Sequence, residues 1–581
     1  MGTRASTPEG RSGTPPRPLR PILRRPFTPD PDRPGPRHVV VVVLGDVGRS
    51  PRMQYHALSL ASHGVLVTLV GYKGERCIAA VQTNPLIEFH RFDAPLSGAW
   101  GKKFKQRAYL VFAITKAFAL VFRLVRDLTF SVDKPDAIMV QNPPSLPGLA
   151  CVYMACLLRS CPMVLDWHNL GFTMFGRGAR HPFVRITRMA EGFFGRRAHL
   201  NLAVSRAMRD WIKRNFGVRE AYVVYDQPPE VFRAPTLQER HALFLRLAKT
   251  NQDYADAVQA FNSASYRDND DSNPALDSNQ HHPGRGRREE PIRDPRQFVS
   301  GRRGDSIAFT PFTTLRPDGA YEVPKNRPAL LVSSTSWTPD EDFSVLLEAL
   351  VRLDARAASG ASPTLPFVLV MVTGKGPDKA KYVERMKAIK MSRVAVCTAW
   401  LEPDDYPILL GSADLGICLH TSTSGIDLPM KVVDMFGCGV PVCAIHFECL
   451  HELVQDGYNG SVFKDSTELA LRLEALLDGF PRAGCELEGY RSNVKEVKRW
   501  NENWDQYAWP LFESMKSLSC NTNRRASRRQ TRGRARTGGG GGWTIGTAIE
   551  AALVPLMVVV FVLVLTSASN PIPWLPDWLK Y

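Results

Sequence analysis

Two kinds of apolar pattern alternate along the chain from residue 38 onward. Short, continuous runs rich in β-branched residues, such as Val39–Leu44, are typical of strands in a parallel sheet that is covered on both faces. Between such runs lie segments with helical periodicity, and Phe343–Leu353 repeats its apolar residues every three or four positions. The alternation predicts an α/β fold in which helices cover parallel sheets.

Polar residues follow the carboxyl ends of many of the predicted strands. Asp166-Trp167-His168-Asn169, for example, comes directly after Met163–Leu165. The carboxyl ends of parallel strands share one edge of a sheet, so these residues are expected to line a ligand crevice. The predicted strands are Val39–Leu44, Val65–Tyr72, Ala137–Val140, Met163–Leu165, Leu200–Val204, Val223–Tyr225, Ala329–Val332, Phe367–Val372, Val394–Cys397, Leu415–Leu419 and Val440–Ile445.

A break in the pattern divides the strands into two groups. Residues 236–325 show no sustained periodicity and are rich in charge, so an inserted, largely disordered loop is predicted there, with a helix at Leu237–Lys249. The predicted organisation is a disordered Pro/Arg-rich tail at 1–37, an N-terminal α/β half at 38–235, the insert at 236–325, a C-terminal α/β half at 326–485, a helical region at 486–518, a basic and Gly-rich linker at 519–547 and a transmembrane helix at 548–566.

Ala548–Thr566 is the candidate membrane span, since it is nearly all apolar and about as long as a minimal spanning helix. A buried core helix is the alternative, but a segment that follows a Gly-rich linker has no core to enter. Basic residues crowd the amino-terminal side of the span, which places the preceding domains in the cytosol. Four aromatic residues are expected to pack the last helical region against one of the two halves: Trp500, Trp504, Tyr507 and Trp509.

Charge and cysteine content narrow the classes of function. The net charge is +17, but much of it lies in the tails, and Arg524–Arg536 alone carries seven arginines. No aromatic residues are interleaved there, so no nucleic acid is expected as a partner and a surface beside anionic lipid is favoured. The 11 cysteines form no CxxC pair, which indicates free thiols in a reducing compartment and no metal site.

The stretch Ser422–Val442 is the strongest candidate for ligand chemistry. A loop rich in hydroxyl groups leads into a helix that starts near Pro429, and a helix N-terminus suits a phosphate. One turn inside the helix sit Lys431 and Asp434, a cation for a phosphate and an acid for a sugar hydroxyl. An ordinary strand–loop–helix unit with a solvated Lys and Asp is the alternative.

The order of motifs resembles the family of GDP-mannose-dependent β-mannosyltransferases that act on chitobiosyldiphosphodolichol. The stretches that carry the resemblance are Gly45–Ala61, Asp166–Asn169, Ala203–Ser205, Ser333–Phe343, Thr373–Pro377 and Ser424–Val442. The resemblance implies a GT-B fold with two facing Rossmann-like domains, the acceptor on the first and the nucleotide sugar on the second. It also implies that mannose moves from GDP-mannose to the second GlcNAc of dolichyl-diphosphate chitobiose with inversion, which requires a base for the acceptor hydroxyl.

The resemblance assigns donor roles to residues of the second half. Asp434 is the counterpart of a Glu that binds ribose in retaining enzymes of this fold, whereas Ser424 occupies the place of the Glu that precedes it. Asp427 is then the candidate to hold the mannose. Lys431 and the N–H groups near Ser424 and Gly425 are assigned to the diphosphate. Further hydrogen bonds and charge are expected from Thr335, Ser336 and Lys375, although Lys375 in a solvated turn is an equal alternative.

Two residues compete for the role of general base. Asp46 follows the first strand and is favoured, although it could instead cap the next helix. His168 is the rival, although it could be a core histidine bonded to backbone. Gly45, Gly48 and Arg49 of the loop around Asp46 are expected to face the acceptor or the diphosphate.

The remaining expectations concern setting and alternatives. The resemblance places the enzyme at the endoplasmic reticulum membrane facing the cytosol, with other glycosyltransferases of the pathway as possible partners. No cofactor is expected to be required, and stimulation by a divalent metal stays open. A retaining α-mannosyltransferase of the same fold and a non-catalytic, membrane-tethered scaffold subunit are the alternative functions.

Overall fold

Two parallel sheets, one in each half of the chain, form the framework of the protein. A computed structural model describes residues 35–93, 119–175, 180–271, 309–338, 341–481, 485–495 and 497–515. Residues 1–34 of the tail predicted at 1–37, residues 272–308 of the predicted insert, the linker at 519–547 and the candidate span at 548–566 lie outside these residues. Among the helices that are described, none combines the length and the apolar character needed to cross a membrane.

The N-terminal sheet has seven parallel strands in the order β3-β2-β1-β4-β5-β6-β7. An interior strand, next to the central one, contains the run Val39–Val42, which is buried on both faces because helices cover the sheet on each side. The strands are β1 (His38–Asp46), β2 (Leu66–Tyr72), β3 (Ile87–Phe92), β4 (Ala137–Asn142), β5 (Met163–Trp167), β6 (Leu200–Ala203) and β7 (Ala221–Val223). The helices are α1 (Pro51–Ser62), α2 (Ala79–Thr83), α3 (Gly148–Arg159), α4 (Pro182–Arg197) and α5 (Arg206–Phe216).

The described parts of the predicted insert at 236–325 are folded: the helix predicted at Leu237–Lys249 is confirmed, and a second helix and a hairpin were not predicted. They form two helices, α6 (Leu237–Thr250) and α7 (Gln252–Asp271), and a short hairpin, β8 (Thr314–Leu315) and β9 (Tyr321–Glu322). Thr236 and Glu239 cap each other's backbone at the start of α6. The apolar faces of α6 and α7 cover one face of the C-terminal sheet, so burial of that face accounts for their order.

The C-terminal sheet has six parallel strands in the order β12-β11-β10-β13-β14-β15. Its second face is covered by helices that pack through residues such as Leu346, Leu350 and Leu473. The strands are β10 (Ala329–Ser334), β11 (Val368–Thr373), β12 (Val394–Ala399), β13 (Leu415–Cys418), β14 (Val442–Ile445) and β15 (Gly460–Phe463). The helices are α8 (Phe343–Ala358), α9 (Lys379–Ala388), α10 (Asp405–Ser412), α11 (Met430–Gly437) and α12 (Ser466–Leu477).

The chain returns to the N-terminal half after the second sheet. Helix α13 (Glu486–Val494) stays with the C-terminal half, whereas α14 (Trp500–Tyr507) packs on α1. The indole N–H of Trp500 donates to Ser59 Oγ at 2.9 Å, and that of Trp504 donates to His56 Nδ1 at 2.9 Å. The expected packing role is thereby confirmed for the tryptophans, which pack against the first half, but not for Tyr507, which is 46% exposed.

Side chains also join the two halves beside the cleft. The Glu452 carboxylate of the C-terminal half accepts hydrogen bonds from the backbone N–H groups of Arg206 and Ala207, at 2.7 and 2.8 Å, and from the Tyr225 hydroxyl at 2.7 Å. It therefore caps the start of α5 in the other half. The Ser205 hydroxyl donates to the carbonyl of Ile426 in the same region. The carboxyl edges of the two sheets face each other across this contact.

Candidate active site

A cavity of about 310 Å³ lies in the cleft between the two halves. The N-terminal half contributes residues at the carboxyl ends of β4 and β5, and the C-terminal half contributes the loop and first turn of α11. Side chains of both halves line it, among them Arg52, Gln141, His168, Asn169, Asp226, His420, Asp427 and Lys431. Three of the predicted site residues, His168, Asp427 and Lys431, therefore share one cavity.

A buried ion cluster forms the N-terminal wall of the cavity. The Arg52 guanidinium donates to both carboxylate oxygens of Asp166, at 2.9 and 3.0 Å, and to Asp226 at 2.8 Å. Arg52 and Asp166 are almost completely removed from solvent. Burial opposes ionisation of Asp166, but Arg52, His168 and His56 outweigh it and hold its pKa well below the usual range. Asp166 is consequently a fixed negative charge at physiological pH.

His168 is oriented by this charge. Its Nε2 lies 2.7 Å from Asp166 Oδ2, while about a fifth of its side chain stays exposed toward the cleft. Because a carboxylate only accepts, Nε2 carries the proton in this contact and Nδ1 is left as the basic nitrogen of the neutral ring. His168 is therefore not the backbone-bonded core histidine that was the alternative, although its own backbone N–H does bond to Asn142.

A second histidine supports the same carboxylate from behind. His56 is fully buried and receives the Trp504 N–H on Nδ1, so its Nε2 faces Asp166 Oδ2 at 3.3 Å. Burial lowers the pKa of His56 despite the nearby Asp166. His56 is therefore neutral, and Arg52 is the cationic partner of Asp166 in the buried cluster. His168 connects Asp166 to the cleft.

Lys431 lies on the opposite side of the cavity, in the first turn of α11. Its ammonium group forms an ion pair with Glu341, whose carboxylate is almost wholly buried. Glu341 also accepts hydrogen bonds from the Thr335 hydroxyl at 2.6 Å and from Ser336 N–H at 2.6 Å. Burial acts to raise the pKa of Glu341, but Lys431 and these donors hold it below the usual value. Two of the predicted donor ligands, Thr335 and Ser336, therefore reach the site through Glu341.

The loop before α11 is held by its own side chains. Asp427 accepts hydrogen bonds from the Ser422 and Ser424 hydroxyls, and its second oxygen lies 3.8 Å from His420 Nε2. Gly425 has a φ of +75°, and its N–H donates to Ser422 Oγ at 2.8 Å. The N–H groups predicted to bind phosphate near Ser424 and Gly425 are thus engaged inside the loop. The amino end of α11, which lines the cavity at Met430 and Lys431, remains directed at the cleft.

Lys375 lies apart from the cavity. Its ammonium group sits 3.5 Å from the centre of the Trp400 ring, which is a cation–π contact. The glycines on either side allow the Lys375 loop to pack on the end of β10. A Cβ at Gly374 would lie 1.8 Å from Thr335 O, and one at Gly376 would lie 1.7 Å from Ser336 O. The described contacts give this loop a role in supporting Thr335 and Ser336.

The loop after β1 does not line the cavity either. Asp46 accepts hydrogen bonds from Gly48 N–H at 2.9 Å and Glu75 N–H at 2.8 Å, so it caps the turn that follows the strand. Arg49 extends into solvent near Asp46 and Glu75. A Cβ at Gly48 would meet Glu75 O at 2.3 Å, whereas Gly45 has open space around it. The capping role that was the alternative for Asp46 is the one its contacts describe.

Asp434 lies on α11, one turn beyond Lys431 and outside the lining of the cavity. Burial and the nearby Asp226 carboxylate raise its pKa well above the usual range. Tyr55 and Tyr406 are close enough to Asp434 for its charge to raise their pKa as well, after burial. A carboxylate whose ionised form is disfavoured in this way is stabilised by a ligand whose hydroxyl groups donate hydrogen bonds to it.

Three residues of the site did not stand out in the sequence, namely Arg52, Glu341 and His420, and Asp226 was expected only as one of the polar residues that follow predicted strands. Arg52 and Asp226 are brought together from positions 174 residues apart, and no local spacing signals that pairing. Glu341 lies in an acidic loop that resembles an ordinary helix start. Within the described residues, no three His, Cys, Asp or Glu side chains are grouped so that they could hold a metal ion.

Comparison with known proteins identifies this arrangement. Residues 47–225 match the family described as "Glycosyl transferase 4-like domain", and residues 327–479 match "Glycosyl transferases group 1". The crystal structure of Anabaena HepE in complex with UDP and glucose superposes with a TM-score of 0.50 at 14% identity, covering 83% of this chain and 100% of that one. The fold is therefore GT-B-like, with two Rossmann-like sheets, and the chain is a glycosyltransferase.

Two relatives in other organisms are much closer in sequence. The Arabidopsis thaliana protein named UDP-glycosyltransferase TURAN is 41% identical over 494 residues, 82% of this chain and 97% of its own. The human chitobiosyldiphosphodolichol beta-mannosyltransferase is 42% identical over 481 residues, which are 82% of this chain and 92% of the human protein. At that identity over nearly the whole of a relative, the chain belongs to the chitobiosyldiphosphodolichol beta-mannosyltransferase family.

Proposed function

We propose that the chain transfers a mannosyl group from GDP-mannose to the second GlcNAc of dolichyl-diphosphate chitobiose, with inversion at the anomeric carbon. The observation that carries the proposal is the pair His168–Asp166 facing Lys431 across one cavity. A single displacement requires a base on one wall and a cation on the other, because the acceptor hydroxyl loses a proton and the departing diphosphate gains negative charge.

His168 is the proposed general base. Its Nδ1 takes the proton of the acceptor hydroxyl as the oxygen attacks the anomeric carbon, and the bond to the nucleotide diphosphate breaks in the same step. Asp166 holds the ring by Nε2 and stabilises the imidazolium that forms. Asp46 is disfavoured for this role because its carboxylate already accepts two backbone N–H groups, that of Gly48 in its own loop and that of Glu75 in the loop after β2.

Lys431 and the amino end of α11 are the proposed ligands of the departing diphosphate. The ammonium group and the helix N-terminus both place positive charge in the same corner of the cavity. Asp434 is the proposed ribose ligand and Asp427 the proposed mannose ligand, each accepting hydrogen bonds from sugar hydroxyls. No metal ion is needed in this scheme, and added divalent metal is expected to change the rate little.

The proposed location is the endoplasmic reticulum membrane, with both halves in the cytosol, where a nucleotide sugar is available. The composition of residues 548–566 supports an anchor there. Other glycosyltransferases that act on the same lipid-linked acceptor are proposed neighbours, since each consumes the product of the preceding one.

The test is a transfer assay with the full chain in detergent. Labelled GDP-mannose is offered with phytanyl-diphosphate chitobiose, with and without EDTA, and the product is digested with β-mannosidase or α-mannosidase. A labelled product cleaved by β-mannosidase alone supports the proposal. A product cleaved by α-mannosidase would establish a retaining enzyme instead, and no transfer by a protein that binds GDP would favour a scaffold.

A parallel set of reactions tests which nucleotide sugar is the donor. The Arabidopsis relative is named for UDP, so UDP-glucose and UDP-GlcNAc are offered in parallel at the same concentration. Transfer from either at a rate comparable with GDP-mannose would overturn the proposed donor while leaving the fold and the base intact.

A further inference from the structure

A second cavity, of about 530 Å³, lies at the opposite edge of the C-terminal sheet. It is formed where the chain enters β10, at the turn from α10 to β13 and at the turn from α11 to β14, with α6 and α13 as its sides. These turns precede strands, so they lie at the amino edge of the parallel sheet. The cleft with Lys431 lies at the carboxyl edge. We call this second cavity the arginine pocket.

Positive charge dominates the described lining of the arginine pocket. Five basic side chains line it against one acidic side chain, Glu488: Arg240, Arg327, Arg491, Lys495 and Arg499. Asp414 lies beside the pocket and is buried. Counting both acids, the described groups leave a clear excess of positive charge in a concave site, which attracts anions.

Both carboxylate oxygens of Asp414 accept hydrogen bonds from two of these arginines. Arg327 donates to both of its oxygens, at 2.6 and 2.7 Å, and Arg491 donates to one of them at 2.8 Å. The carboxylate also receives the Leu330 backbone N–H at 2.9 Å. It has no position left for Arg240, which donates through Nη2 to the Gly411 carbonyl at 2.8 Å.

Donor groups of the pocket are left without acceptors. The Nε atoms of Arg240 and Arg491 are buried and have no hydrogen-bond partner among the described residues. Burial lowers the pKa of Arg240, and repulsion from Arg327 and Arg491 adds to the effect against the attraction of Asp414. Buried donors of this kind are normally satisfied, and both arginines with an unpartnered Nε line this one cavity.

We propose that the arginine pocket binds an anion that carries a phosphate group, held by Arg240 and Arg491. A guanidinium presents parallel N–H donors that match two phosphate oxygens, and its charge strengthens both bonds. The phosphate could belong to a soluble compound or to the headgroup of a phospholipid, since both present the same oxygens.

The pocket is distinct from the donor site. Met430 and Lys431 line the cleft at one end of α11, whereas Gly437 lines the pocket at the other end. Met430 and Gly437 are the two ends of the helix, and seven steps of 1.5 Å place them roughly 10 Å apart. A saturating amount of GDP should therefore fill the donor site and leave the pocket open.

The test measures protection of individual arginines in the full chain in detergent, with GDP at saturation. Phenylglyoxal modifies accessible arginines, and mass spectrometry reports the rate at each position. Pyrophosphate is the soluble probe and short-chain phosphatidic acid is the lipid probe, with phosphatidylcholine as its control. We expect one or both probes to slow modification of Arg240 and Arg491 at least fivefold. Arg352, exposed on α8, should be unaffected.

Two variants distinguish binding in the arginine pocket from nonspecific attraction to the positive charge of the protein. Arg240→Gln removes one hydrogen bond to a carbonyl and should fold, and it is expected to weaken the binding of the protecting probe at least tenfold by isothermal titration. Arg352→Gln is the matched control and should bind as the wild type does. Protection by pyrophosphate that disappears once GDP is present, or equal affinity in Arg240→Gln and wild type, would overturn the proposal. Protection by phosphatidic acid alone would assign the site to a lipid headgroup.

Discussion

Lys431 and Glu341 form an ion pair at the edge of the cleft, although they lie on different elements 90 residues apart. The carboxylate is almost wholly buried and the ammonium group is about a quarter exposed. Without a donor bound, the cation proposed for the diphosphate is therefore already neutralised. A diphosphate has to compete with Glu341 for Lys431, which limits how tightly GDP is held after transfer.

Replacing Glu341 with Gln is expected to tighten GDP binding by about tenfold, since the competing charge is lost while an acceptor oxygen remains for Thr335 and Ser336. Lys431→Gln should weaken GDP binding by a similar factor. Isothermal titration of GDP measures both, and Glu474→Gln, in a surface pair of the same half, is the control. If Glu341→Gln weakened GDP binding as much as Lys431→Gln does, the carboxylate would be shaping the site and not competing for the lysine.

The role of His168 makes a separate prediction. His168→Gln is expected to lower kcat by a factor of about 10² to 10⁴, the usual contribution of a general base, with GDP affinity within twofold of wild type. Asp46→Asn should keep most of kcat and lose about 1 kcal/mol of stability, since the amide keeps one acceptor oxygen and can no longer accept from both Gly48 N–H and Glu75 N–H. Initial rates at saturating substrates and unfolding midpoints measure the two effects, with the exposed His451→Gln as control. The reverse order of kcat losses would restore Asp46 as the base.

The pattern of apolar runs predicts the framework closely, because buried parallel strands have few alternatives. Ten of the eleven predicted strands coincide with strands of the structure, and the eleventh, predicted at Val223–Tyr225, shares only Val223 with β7. Two described edge strands were not predicted: β3 alternates polar and apolar residues, and β15 has only four residues. An edge strand is exposed on one side and so lacks the continuous apolar run that signals a central one.

The site is less accessible to sequence reasoning, because its contacts join distant segments. Lys431 and His168 could be predicted, since each follows a strand end or starts a helix. The choice between His168 and Asp46 as the general base could not be predicted. It depends on the contact of the Asp166 carboxylate with His168 and on the backbone N–H groups that bond to Asp46. Helix α6 was predicted within one residue, whereas α7 was missed because it is stabilised by the sheet it covers and not by a strong pattern of its own.

Asp434→Asn is expected to raise the stability of the protein and to weaken its binding of the donor. Burial and Asp226 raise the pKa of Asp434 in the folded protein, so its ionised form opposes folding. That opposition grows as pH rises through the raised pKa. The Asn variant should therefore have a higher Tm than wild type at pH 8 without ligand, and the difference should shrink at lower pH. Its KM for GDP-mannose should rise about tenfold or more, since a charge-assisted hydrogen bond to ribose is lost. A lower Tm together with an unchanged KM would show that Asp434 is a structural residue.

Glu191 gives a pH dependence that is independent of the active site. Its Oε1 accepts hydrogen bonds from Ser145 at 2.5 Å, Asn142 at 2.9 Å and Gly171 N–H at 2.7 Å, while its buried Oε2 has no partner among the described residues. Burial raises the pKa of Glu191 to about 7, against those hydrogen bonds. Because the folded pKa lies above the unfolded value of 4.5, the protonated acid stabilises the fold at low pH. That stability is lost as pH rises from 4.5 to 7.

Glu191→Gln should remove this loss, since its amide oxygen can accept the same three hydrogen bonds without a charge. Relative to wild type, the variant should gain up to about 3 kcal/mol in unfolding free energy between pH 4.5 and 8, because each pKa unit corresponds to about 1.4 kcal/mol. Urea unfolding of both proteins at several pH values measures the difference. Glu88→Gln, on the exposed face of β3, should track wild type throughout. A difference between Glu191→Gln and wild type that stayed constant with pH would mean that Glu191 does not titrate in this range.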